Sequence, residues 1–187
     1  MQLHGFPRSY HNTWHSSISL PIKLQLYRVF ILLVILYGAE TRSPTLQQAR
    51  NLEAFDQWCL RCILRISWMA RISNEEVHWR TDQPPLTHII RTTRLKFFRH
   101  NARADPSMDH SRALRPRVAP LPRDWNRRLG WPCHTWLWPI GFDLAPLKNG
   151  LTTAYHRAQN RQDWNTLVGT ATSSTRQATQ WWWSSVS

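Results

Sequence analysis

Acidic residues are scarce in this 187-residue chain: 11 Asp+Glu stand against 24 Lys+Arg, a formal net charge of +13. Lysine is scarce too, since 21 of the 24 basic residues are arginine. Only 6 glycines are present, which excludes a collagen-like or flexible linker protein. Three cysteines cannot close a disulfide framework, so a disulfide-rich secreted fold is excluded as well. No apolar run reaches the roughly 18 residues of a membrane span. The longest such run extends from Val29 to Ala39 and is interrupted only by Gly38. It begins too late, and lacks the flanks, for a signal peptide.

Catalytic signatures are missing as well. The chain has no Gly-rich phosphate loop, no Gly-x-Ser-x-Gly elbow and no His-Glu-x-x-His motif. No two aspartates are adjacent, whereas a two-metal nucleotidyl transferase needs clustered carboxylates to hold both ions. Cys59 and Cys62 have the spacing of half a zinc site. They fall in mid-helix on or beside an apolar stripe, where cysteine is usually a small core residue. The expectation is a soluble, intracellular, basic protein with no catalytic residues, no metal and no cofactor.

What the chain does have is arginine, tryptophan and proline. Tryptophan and proline each number 12, and hydrophobic residues make up 42%, enough for a packed core in about one domain. Residues 1–60 carry 5 basic and 3 acidic groups, 61–128 carry 15 and 6, and 129–187 carry 4 and 2. The middle third therefore holds most of the positive field. Arginine presents a planar fork that binds phosphate at two points and stacks on bases. A patch of it points to nucleic acid as the partner. The plainer alternative is a solvated basic face without a partner.

Periodicity predicts a mainly α-helical fold, with four to five helices, a long Pro/Trp/Arg-rich irregular arm and disordered termini. Residues 1–20 read as a disordered leader and 21–103 as a helical region. Its first helix starts at Ile22 and stops at Gly38. Beyond Val29 that helix is apolar on every face, which predicts burial. A second helix, capped by Thr45, runs to about Ile66 with Leu52, Phe55, Cys59, Cys62 or Ile63, and Ile66 as its stripe. Ser73 and Glu76 form a capping-box pattern for a short helix ending near Thr81. Pro84-Pro85 breaks the chain, and a helix follows from Leu86 to Arg103 on Leu86, Ile89, Ile90, Phe97 and Phe98. Seven prolines punctuate 104–146, which reads as the irregular arm. A C-terminal helix falls within 147–169, with Ala154, Ala158, Trp164 and Leu167 or Val168 inward. Residues 170–187 read as a disordered tail.

Arg91, Arg94, Lys96, Arg99 and Arg103 cover much of the polar surface of the helix from Leu86. On the arm, Arg127 and Arg128 flank Trp125, an arrangement in which a ring stacks on an unpaired base while the arginines hold phosphates. These eight residues are the candidate nucleic-acid contacts. Trp125 serves equally well as a pin between arm and core.

Several segments, in order, resemble the C-terminal part of non-LTR (LINE-type) retrotransposon reverse transcriptases. Tyr37-Gly38-Ala39-Glu40-Thr41 precedes Arg61-Cys62-Ile63-Leu64-Arg65-Ile66-Ser67-Trp68, which resembles that family's Leu-Arg-x-Ile-Leu-x-Ile-x-Trp run. Arg71-Ile72-Ser73-Asn74-Glu75-Glu76 is similar to its Arg-Ile-x-Asn-Glu-Glu block. Arg94-Leu95-Lys96-Phe97-Phe98-Arg99-His100, with Ala102-Arg103, resembles a block with glycine in place of Arg99. Gly130-Trp131-Pro132-Cys133-His134-Thr135-Trp136 is similar to Gly-Arg-Pro-x-x-Thr-Trp, and Ala158, Arg161 and Trp164 to a closing Ala-x-x-Arg-x-x-Trp. The resemblance covers about Leu20 to Val168.

The resemblance implies the thumb and C-terminal extension of an RNA-directed DNA polymerase, without its palm, its catalytic aspartates or its endonuclease. It implies a fragment that binds RNA or DNA through backbone phosphates and is inactive alone, in the nucleus or cytoplasm. The missing palm, or an intact element protein, is the further partner it implies; no membrane is implied. The family has Trp at Arg42, Arg at Trp79 and Trp131, and often Arg at Cys133. Arg-to-Trp and Arg-to-Cys each need one C-to-T change in a CGN codon, which points to a decayed element copy translated from an internal Met. Arg99 in place of glycine predicts crowding at the junction between helix and arm. The alternative reading is a protein-interaction remnant, or an unfolded product with no function of its own.

Overall fold

A computed structural model of the chain describes residues 14, 16–67, 69–118 and 135–169. Among these residues the structure is mainly helical and contains no strand. Helix α1 (Leu20–Leu26) passes through a π-helical turn (Tyr27–Leu32) into α2 (Leu33–Leu36). Then come α3 (Leu46–Ile63), α4 (Asn74–Thr81), α5 (Leu86–Arg103), α6 (Asp109–Val118), α7 (Leu137–Leu144), a 3-10 turn (Ala145–Leu147) and α8 (Leu151–Ala158). A last helix, α9, covers 161–169. None of the described helices is long and apolar enough to cross a membrane. The chain divides into two compact units, Met1–Gly38 with Pro44–Ile89, and Ala39–Ser43 with Ile90–Ser187. The division falls inside α5.

Local chemistry sets the ends of the first unit's helices. The Thr45 hydroxyl accepts from the Gln48 amide while the Gln48 side chain accepts from the Thr45 N–H, a complete capping box for α3. The helix ends before the predicted Ile66 because Arg65 turns left-handed (φ 56°). The Ile66 and Arg65 amides then satisfy the Arg61 and Cys62 carbonyls, a Schellman arrangement. Ser73 caps α4 by accepting from the Glu76 amide. The Glu76 carboxylate pairs with Arg80 at 2.8 Å.

The first unit's core gathers Leu24, Tyr27 and Ile31 from the first helical stretch, Cys59, Leu60 and Ile63 from α3, and Val77 from α4. Trp14 joins it, although it falls in the segment expected to be a disordered leader. The buried Lys23 ammonium donates to the carbonyls of Trp14 (2.6 Å) and Ser16 (2.9 Å), which holds these two residues against α1. The rest of the leader, and the tail from 170, lie outside the described residues.

Burial of the apolar run from Val29 is corrected by the structure. Val29, Phe30, Leu33, Val34 and Tyr37 are exposed, at 48 to 79%. A single helix can press only one side on α3, and Tyr27 and Ile31 occupy that side.

In the second unit the core unites Leu95, Phe98 and Ala102 of α5, Leu114 and Val118 of α6, Ile140 and Leu144 of α7, Ala154 and Ala158 of α8, and Trp164, Leu167 and Val168 of α9. The described part of 104–146 is therefore helical rather than irregular. Pro116 sits inside α6, and Pro139 is buried in the first turn of α7, where a missing N–H costs little. The expected C-terminal helix is split at Gln159–Asn160. The Asn160 side chain and carbonyl accept from the Gln162 and Trp164 amides and start α9 afresh. With the π-helical turn also dividing the first stretch, the described residues hold more and shorter helices than the four to five expected.

Cys59 is fully buried, and that burial, with Asp56 and Cys62 beside it, pushes its thiol up to about 12. The thiolate is the form that alkylates, so iodoacetamide near neutral pH should spare Cys59 in the native chain and modify it in urea. Peptide mass spectrometry reads this directly. Rapid native alkylation at Cys59 would remove it from the core.

Candidate nucleic-acid interface

Helix α5 turns Leu95, Phe98 and Ala102 inward at spacings of three and four, and its arginines stand at different distances from that seam. Arg94 lies next to Leu95, and its side chain goes inside: the residue is 7% exposed. Asp143 of α7, itself buried, meets it there. The Arg94 Nε stands 3.5 Å from Asp143 Oδ2, an ion pair without hydrogen-bond geometry, and the Arg91 Nε donates to Asp143 Oδ1 at 3.3 Å.

Burial governs both partners. It pulls the Arg94 guanidinium down despite Asp143, and it pushes the Asp143 carboxyl up despite Arg94 and Arg91. Arg94, expected to touch phosphate, is thus a packing residue that holds α7 to α5. Arg91 shares that carboxylate from a half-buried position.

Three of the expected contacts face outward together. Lys96, Arg99 and Arg103 fall at i, i+3 and i+7 on α5, one stripe of the helix. Lys96 is exposed and the other two are half-buried. Arg99 Nη1 donates to Asn165 Oδ1 at 2.8 Å, so its side chain lies along α9. The crowding expected from arginine in place of glycine is absent, because α5 runs regularly through this position and the side chain leaves sideways. Arg103 Nε donates to the Ala158 carbonyl at 2.6 Å, while its Nη2 is buried without a hydrogen-bond partner. Burial lowers the Arg103 pKa, and the charges of Arg99 and Arg161 lower it further. Three guanidinium groups therefore converge where α5 meets α8 and α9. Among the described residues none of Lys96, Arg99, Arg103 and Arg161 belongs to an ion pair.

Sequence reasoning took Arg161 only as part of a motif. It also missed α6, where Arg112, Arg115 and Arg117 are exposed. The signal was the charge count over 61–128, but without a helix there the spacing could not be read. His100 and His110 stack across α5 and α6, with ring centroids 6.1 Å apart and planes 15° from parallel. Trp125, Arg127 and Arg128 lie outside the described residues.

Two of the described tryptophans of this unit do structural work. Trp136 meets Phe97 edge-on at 5.5 Å and donates Nε1–H to the Glu40 carbonyl at 2.7 Å. Trp164 stacks on Phe98 at 5.6 Å.

Comparison with family models, curated proteins and solved structures gives no match for this chain.

Removing the acid at the centre of the buried pair leaves Arg94 charged and unpaired. Asp143→Ala should therefore lower the unfolding free energy by about 3 kcal/mol, the usual scale for breaking a buried pair from one side. Urea denaturation followed by far-UV CD measures it. A loss below about 1 kcal/mol would show that water reaches Arg94 and that the pair does not hold α7.

Proposed function

We propose that this chain is a C-terminal thumb and extension fragment of a LINE-type reverse transcriptase that binds the phosphate backbone of RNA or DNA with little sequence preference. On this reading it is catalytically inactive alone, acts in the nucleus or cytoplasm, and has the polymerase palm or an intact element protein as its further partner. The order of the motifs from Tyr37 to Trp164 supports the family. The observation that carries the binding role is the convergence of Arg99, Arg103 and Arg161 beside Lys96. Like charges this close raise the free energy of the bare protein, and a polyanion lowers it. Guanidinium forks suit phosphate oxygens, and backbone contact of this kind carries no sequence information.

The interface is thus narrower than the sequence suggests at one end and wider at the other. Arg94 is withdrawn to the core, and Arg161 and the exposed arginines of α6 extend it. Binding should weaken steeply with salt, because each neutralised phosphate releases counterions.

A second reading, the protein-interaction remnant, is favoured by the exposed row Val29, Phe30, Leu33, Val34 and Tyr37. A contiguous apolar face on a helix is a usual mark of a contact surface. Salt dependence separates the two readings, since apolar association survives salt that strips a polyanion.

Two measurements test them. Fluorescence anisotropy with single-stranded RNA and duplex DNA should show the Arg99→Glu/Arg161→Glu variant at least about tenfold weaker than the parent, with the slope of log K against log salt reduced by roughly two. Unchanged affinity and slope would take this face out of the binding site. Val34→Glu, at a position 71% exposed, should leave nucleic-acid affinity intact and reduce self-association in size-exclusion chromatography. Equal self-association in parent and variant would dismiss the apolar face as a contact surface.

A further inference from the structure

Outside the basic face, the first unit holds a group of ligand-type side chains for which the binding role has no use. Glu53 and Asp56 stand one turn apart on α3, and His78 of α4 faces them. One ligand atom from each lies within 4.8 Å of the other two. Glu53 and His78 are half-buried and Asp56 is 2% exposed.

The hydrogen bonding around this group is incomplete. Asp56 Oδ1 accepts from the Tyr27 hydroxyl, but the buried Oδ2 has no partner. A buried carboxylate oxygen without a partner is costly, and here it belongs to a residue of a cluster that already contains a second acid. Among the described residues neither carboxylate has an ion-pair partner. Glu53 Oε2 accepts from the Thr87 amide at 3.3 Å, at the N-terminal end of α5. His78 Nδ1 lies 3.0 Å from the Gln83 carbonyl, a geometry that places the ring proton on Nδ1 and the lone pair on Nε2. The Gln57 side-chain nitrogen sits 2.5 Å from that Nε2, and Gln57 Oε1 is buried without a partner.

We propose that Glu53, Asp56 and His78 bind a divalent transition-metal ion of the zinc type, which ties α3 to α4. Two carboxylate oxygens and an imidazole nitrogen form an established donor set for such ions. A backbone carbonyl on the opposite ring nitrogen is the usual outer support of a metal-bound histidine. The ion supplies the positive charge that the two acids lack and the partner that Asp56 Oδ2 lacks. Tetrahedral bonds of 2.0–2.1 Å hold ligand atoms about 3.3 Å apart, so atoms now within 4.8 Å need close by at most about 1.5 Å. The Gln57 amide swings off Nε2 as they do so, which frees Oε1 to find a donor. The sequence hid this site: its two acids are separated from the histidine by a helix end and a loop, and the Cys59–Cys62 spacing draws attention to the wrong side chains.

Isothermal titration of the full chain with Zn²⁺ tests the assignment. One ion should bind per chain, and binding should persist when Cys59, Cys62 and Cys133 are all replaced by serine. Glu53→Gln and His78→Gln should each weaken it by about tenfold or more, with far-UV CD confirming that the variants fold. A measurement that needs no variant accompanies this one: Zn²⁺ should protect His78 from carbethoxylation, read by peptide mass spectrometry. Failure of the parent chain to take up Zn²⁺, binding that disappears with the cysteines, binding unchanged in both folded variants, or equal modification of His78 with and without Zn²⁺ would each overturn the proposal.

Discussion

Asp143 sits between Arg91 and Arg94, and the second unit is arranged around that contact. A buried guanidinium is tolerable only when a carboxylate meets it, and a buried carboxylate only when a cation does. The pair fixes α7 on α5 at one depth. Ile140 and Leu144 then face Leu95 and Phe98, and the core that also receives α8 and α9 is closed. The second unit has few acids, and this one is used inside. Among the described residues no carboxylate pairs with the outer stripe of α5, so the same economy of acids that builds the core leaves Lys96, Arg99 and Arg103 without an ion pair.

Helix boundaries were legible wherever short-range chemistry decides them. The Thr45 cap, the Ser73 cap and the break at Pro84-Pro85 depend on neighbours within four residues, and α5 begins and ends where its pattern says. The fate of individual arginines was not legible. Helical spacing separates the inner face of α5 from its outer face, but Arg94 lies at the border between them. Its direction is decided by Asp143, an acid from a segment whose prolines leave room for no helix longer than two or three turns. Arg161 was hidden for the converse reason: only the tertiary fold brings α9 alongside Arg99.

The first helical stretch shows a different limit. Its sequence is apolar all round, and a periodicity argument infers burial from that. The first unit offers it one partner surface, made of Cys59, Leu60 and Ile63, and Tyr27 and Ile31 take it. Sequence composition reports how much apolar surface a helix has; it does not report how much partner surface the rest of the chain supplies. Trp14 shows the reverse case, a residue in an unpatterned segment that the core admits because Lys23 holds its carbonyl.

The two units thus separate two kinds of surface. In the first, polar groups are drawn into the interior around Asp56 and apolar side chains are left outside on Phe30, Leu33 and Val34. In the second, Trp164 stacks on Phe98 inside, and Lys96, Arg99 and Arg103 lie toward the outside. Abundant tryptophan therefore does not by itself imply base stacking: Trp136 and Trp164 are engaged by Phe97, Phe98 and a backbone carbonyl. On the proposed reading, phosphate contact at this face falls to the arginines rather than to stacked rings, and its strength should follow salt.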